Sequence, residues 1–212
     1  MLRRFPILST LVFAVALSSQ ASICAQANAQ ALPRHFDQRS VMNGRFDPTS
    51  CRAEGAPCLE ALMRRSGVSA EAIAFARSLK FEGYLSEFFP VGRVNRGTIS
   101  YPFRVNTNDE PVLLNGTPPF VDVWSEVGKL NLDADPRTAA VLAKNRGASM
   151  SARPPEFTGE QPLSGGGQRF LYRFAISTCR GCEALARPVV ALDFDGGGRY
   201  VGVHIVQVSN GP

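Results

Sequence analysis

The chain has 212 residues and a formal net charge of +5, with 44% hydrophobic and 19% charged residues. A charge this small, dispersed rather than clustered, excludes a dedicated nucleic-acid reader. Twenty of the 23 basic residues are arginine, and alanine is abundant, which reads as the codon usage of a GC-rich genome rather than as a phosphate-binding composition.

The N-terminus has the order of a secretory signal peptide. Arg3 and Arg4 precede an apolar run from Ile7 to Leu17, and small residues follow at Ala25, Ala27, Ala29 and Ala31. The run is far shorter than the roughly 20 residues of a membrane helix. Cleavage is expected after Ala27, with Ala29 or Ala31 as alternatives. Lipidation at Cys24 is disfavoured by the bulky Ile23, and "LRRFPIL" matches twin-arginine export poorly. Removing 27 of 212 residues leaves 185 with a charge of +3, and no further apolar run long enough to span a bilayer. The division is therefore a signal peptide over 1–27, an irregular lead-in over 28–57, and a single α+β domain over 58–212.

Cys51, Cys58, Cys179 and Cys182 remain after processing, an even number that suggests two disulfides in an exported protein. Three connectivities are possible. Cys51–Cys58 and Cys179–Cys182 are expected, because crossed pairing would require two distant loops to meet.

"PCLEALMRRSG" predicts a helix with Pro57 at its first position, Gly67 as a stop, and Leu59, Leu62 and Met63 on one face. Ser69 caps a second helix, with Glu71 in its first turn and Ala72, Phe75, Ala76 and Leu79 at amphipathic spacing. The pair resembles a helix-turn-helix, but in an exported chain it reads as a packed hairpin. Three short strands follow in "GYLSEFFPVG", "GTISYPFRV" and "PVLLNGTPPFVDV". Within the third, Asn115-Gly116-Thr117 matches a glycosylation sequon. Trp124 reads as a core residue at a strand end. Asp135 and Pro136 open a helix running to Gly147. Residues 148–168, rich in proline and glycine, read as a loop. "QRFLYRFAIST", "RPVVALDFD" and "RYVGVHIVQV" are strands. Helices early and strands late predict an α+β fold: an N-terminal helical hairpin, short strands, one middle helix and a C-terminal antiparallel β-meander.

The alternation in the last two strands sets their register. A four-residue loop, Gly196 to Arg199, pairs Asp195 with Tyr200, Phe194 with Val201, Leu192 with Val203 and Val190 with Ile205. All six apolar residues then share one face. Asp193 and His204 come together on the other, which with Tyr200 forms the candidate contact surface.

Chemical motifs are sparse. Catalytic thiol pairs place the first sulfur at a helix N-terminus, but "CRGC" follows a strand and meets Pro188 soon after. A zinc site built from all four cysteines suffers from the six-residue gap between Cys51 and Cys58. "DFDGGGR" lacks two of the oxygen positions an EF-hand loop needs. Only His35 and His204 could serve a nucleophile as base. Glu82, Glu87, Asp109 and Glu110 could supply an acidic pair, but no spacing selects two of them. The chain therefore reads as an exported, periplasmic or secreted, disulfide-stapled binding protein without a catalytic centre, cofactor or metal. Its partner is an envelope or extracellular protein or ligand. The alternatives are a thiol-disulfide oxidoreductase using Cys179 and Cys182, and a hydrolase with an acidic site.

Overall fold

The computed structural model describes residues 33–43, 46–105 and 109–211. The expected signal peptide lies outside the described residues. Among the described residues, four α-helices and two antiparallel sheets make up the α+β fold anticipated above. Helix α1 (Ala56–Arg65) starts one residue before Pro57, and α2 (Ala70–Ser78) is capped by the Ser69 hydroxyl, which accepts from the Ala72 N–H at 3.1 Å. The two helices pack through Leu59, Met63, Ala72, Ile73 and Ala76; Ile73 joins the expected inward set, whereas Leu62 is only half-buried.

The first sheet has the order β1 (Tyr84–Phe89), β2 (Asn95–Ser100), β3 (Asp109–Leu114), β4 (Phe120–Asp122). This is one strand more than the sequence suggested. The chain turns at Asn115, whose N–H donates to the Pro119 carbonyl at 3.0 Å, and so splits one apolar run into two strands. Asp122 then caps α3 (Val123–Gly128), which places half-buried Trp124 on a helix rather than at a strand end. Strand β3 is covered on both faces. Val112 and Leu114 pack with Phe75 of α2 and with Phe36 and Val41 of the lead-in. Leu113 joins the other core, shared with the second sheet.

Helix α4 (Pro136–Lys144) begins as expected, with Asp135 accepting from the Arg137 N–H at 2.8 Å and Pro136 in the first turn. The second sheet contains β5 (Ser149–Met150), β6 (Glu156–Leu163), β7 (Gly167–Arg173), β8 (Ile176–Ser177), β9 (Ala186–Phe194) and β10 (Tyr200–Asn210). Strands β7 and β8 pair with one edge of β9, and β10 pairs with the other. The expected loop over 148–168 is thus corrected: β5, β6 and the start of β7 lie within it. Strand β6 pairs only with β7, so it lies at the sheet edge, where Pro162 and the irregularity around Gly159 are tolerated. Its residues are largely exposed, which hid the strand from a hydrophobicity reading.

Phe170 and Tyr172 of β7 and Val190, Leu192 and Phe194 of β9 project into the shared core with Val121, Val123 and Val127. Polar contacts join the sheets at their margins. The Gln168 side chain accepts from the Val94 N–H at 2.8 Å and donates to the Val94 carbonyl at 3.2 Å. Thr117 donates to the Gly198 carbonyl at 2.8 Å and accepts from the Tyr200 N–H at 2.9 Å.

The lead-in contains two short 3-10 turns, Gln38–Ser40 and Pro48–Cys51, between irregular stretches. The Asn115 side chain holds Phe36, accepting from its N–H at 2.6 Å and donating Nδ2 to its carbonyl at 2.8 Å. The sequon asparagine is therefore committed in the folded protein, since a glycan on Nδ2 would displace the second bond.

Candidate functional site

The last hairpin decides what the candidate surface contains. The Asp195 N–H donates to the Arg199 carbonyl at 2.9 Å and the Gly198 N–H to the Asp195 carbonyl at 2.8 Å, with Gly198 at φ +80°. This is a three-residue loop closed by a left-handed glycine, not the four-residue loop read from alternation. Such a loop alone would put apolar residues on the wrong face. A bulge at Val201 restores the register, so Leu192 pairs with Val203 and Val190 with Ile205 as expected, while Phe194 pairs with Tyr200. Val201 is consequently 68% exposed.

Tyr200 therefore parts from Asp193 and His204. Its ring packs against Phe194 with centroids 5.3 Å apart, and its hydroxyl donates to Glu126 at 3.1 Å. Burial, and then the Glu126 carboxylate, push its phenol well above the ordinary range.

Asp193 and His204 do meet, with His204 Nδ1 3.9 Å from Asp193 Oδ2. The stronger partner of Asp193 is Arg169, directly opposite on β7, with Nε to Oδ1 and Nη2 to Oδ2 both 2.7 Å. This forked pair raises the guanidinium pKa, chiefly through the hydrogen bonds to Asp193. The Arg169 and Asp193 side chains are 25% and 14% exposed, and His204 is 49% exposed. Opposite residues share a face, so Leu171, Ala191 and His204 form the next row, and Arg173, Val189 and Gln207 the one beyond. Arg173 pairs with Glu156 at 3.2 Å. The outcome is a rigid sheet face with an apolar strip between two ion pairs.

No motif singles out Arg169, but the sequence carries its signal. Phe170 and Tyr172 alternate with Arg169, Leu171 and Arg173, which assigns the arginines to the face away from the core.

Both disulfides link sequence neighbours, Cys51 to Cys58 and Cys179 to Cys182. The "CRGC" segment is an exposed turn in which the Cys182 N–H donates to the Cys179 carbonyl at 3.2 Å, and no helix follows before Pro188. A thiolate there would lack a helix dipole. The glycine-rich hairpin loop spends its carboxylate on itself, since Asp195 accepts from the N–H groups of Gly197 and Arg199, both at 2.9 Å. No group of three or more potential metal ligands occurs among the described residues.

Of the candidate acids, Glu82 is exposed, while Glu87 and Asp109 border one shallow cleft of the first sheet. Glu87 accepts from the Thr98 hydroxyl at 2.7 Å. Glu110 is buried and paired with Arg104, and burial raises its carboxyl above the usual range. His35 is exposed in the lead-in. No helix among the described residues is long and apolar enough to cross a membrane. No protein-family model, curated protein or solved structure matches the chain.

Proposed function

We propose that this is an exported, disulfide-stapled binding protein rather than an enzyme, and that its contact surface is the outer face of the second sheet. The observation that carries the reading is the Arg169–Asp193 fork with His204 beside it. Three adjacent strands hold charged and apolar groups there in fixed positions, which favours recognition at little ordering cost. Tyr200 contributes indirectly, by anchoring the β10 hairpin from the core side. The charged, apolar and small-residue order of the N-terminus and the two bridges support export to a periplasmic or extracellular location, where an envelope or extracellular protein or ligand would be met.

Export is tested by the mass of the protein purified from its native host. A chain beginning near Asn28 is expected, and a cytoplasmic chain retaining Met1 would overturn it. Binding is tested with a photo-crosslinking residue at position 204, compared with one at position 64 on α1. A discrete adduct from position 204 alone, weakened by Arg169→Ala, supports the surface. Equal labelling from both positions, or none, rejects it. Reduction of insulin by the reduced protein would favour the thiol-disulfide alternative, against which the missing helix after Cys182 argues.

A further inference from the structure

The stapled turn has a second property, at a distance from the Arg169–Asp193 fork. Together with the corner after β5 it encloses a cleft of 370 Å³, within the usual range for small-molecule sites. Arg153 enters from that corner, Arg180 from between the two cysteines, and Arg187 from the second residue of β9. Glu183 supplies the one carboxylate among the lining residues.

Elsewhere on the same sheet the arginines are matched, Arg169 by Asp193 and Arg173 by Glu156. Arg153 and Arg187 form no ion pair with a described residue. Arginines that line a concavity focus positive potential, and their planar forks fit the oxygens of phosphate or carboxylate groups.

The rim is set before any ligand arrives. The Cys179–Cys182 bridge, with Cα atoms 5.1 Å apart, encloses Arg180 and Gly181. The Ser177 hydroxyl donates to the Cys179 carbonyl at 2.9 Å, and the Leu185 N–H to the Ile176 carbonyl at 2.8 Å, fixing the base of the turn. A staple closing so short a loop adds little global stability, but it removes local freedom from the residue that carries a guanidinium, which favours binding by preorganisation. We infer that the cleft binds a small dianion, a phosphate monoester or a dicarboxylate.

The test is a titration of the oxidised, isotope-labelled protein with inorganic phosphate and, separately, with succinate, following the arginine side-chain and Arg180–Glu183 amide resonances. Saturable shifts confined to the cleft are expected. Arg153→Gln and Arg187→Gln should each weaken binding about tenfold, the loss of one charge-assisted contact, whereas Arg64→Gln on α1 should not. Saturation by phosphate alone identifies a phosphate ester, saturation by succinate alone a dicarboxylate, and both together a general oxyanion site. Non-saturating shifts with both ions overturn the inference. So do equal affinities for the parent and the Arg153→Gln protein, whose exposed corner position keeps the test independent of folding.

Discussion

The three glycines of the last hairpin should respond very differently to alanine. Gly198 sits at φ +80°, where a side chain costs roughly 1–2 kcal/mol. Its added Cβ would also meet Arg93 Cδ at 2.8 Å, but that flexible side chain can withdraw. Gly196 is limited by space instead, because a Cβ there would lie 2.1 Å from the Gly165 carbonyl oxygen in the β6–β7 turn. One hairpin loop must then move against the other, a change of the order of 1–3 kcal/mol. Gly197 meets only the Asp195 carboxylate, at 3.2 Å, and its backbone is not left-handed. Alanine there offsets a small local shift by reducing unfolded-state freedom, an effect of about 0.4–1 kcal/mol, so the net should lie near zero. Equilibrium urea unfolding at constant m reads all three. If Gly197→Ala were as damaging as Gly198→Ala, the left-handed residue would be misplaced. The inward position of Tyr200 and the exposed bulge at Val201 would then fall with it.

Asp135→Ala should cost about 1 kcal/mol through loss of the α4 cap. Hydrogen bonding from Arg137 holds the Asp135 carboxyl at about 2 against an ordinary 3.8, so its contribution is complete above pH 3.8 and fades as pH falls toward 2. Urea unfolding of Asp135→Asn, which keeps the cap, should therefore converge with the parent across that interval. Burial raises the Tyr101 phenol from 10.0 to about 12 and those of Tyr172 and Tyr200 further. Each phenol ionises more readily in the unfolded chain, so stability is intact below pH 10 and falls above it; phenolate absorbance from these residues should rise together with loss of the near-ultraviolet dichroism. Phe170→Ala, which empties a fully buried site in the shared core, should lower stability by about 3–5 kcal/mol in the same denaturant assay.

Short-range signals were legible in the sequence. Ser69 and Asp135 cap their helices because a cap needs only neighbours two or three residues away. The inward set Val190, Leu192 and Phe194 follows from a period of two. Strand β6 was not legible, because an edge strand with little burial carries no hydrophobic alternation and can contain Pro162. The Val201 bulge was hidden for another reason: alternation describes a strand without extra residues, and a glycine triplet fits several loop lengths. The Arg169–Asp193 fork joins residues 24 apart across the β8 excursion, so their faces could be inferred but not their partnership.

The corner between β3 and β4 ties the beginning of the fold to its end. Asn115 grips Phe36, 79 residues earlier, while Thr117, two residues on, exchanges hydrogen bonds with Gly198 and Tyr200. Phe36 packs against Phe75 and shares its cluster with Ile99, Val112 and Leu114. The Asn115–Phe36 clamp needs only the first half of the fold, whereas the Thr117 bonds wait for the last hairpin. Loosening the last hairpin should therefore be felt at the Thr117 corner and, through Asn115, at Phe36.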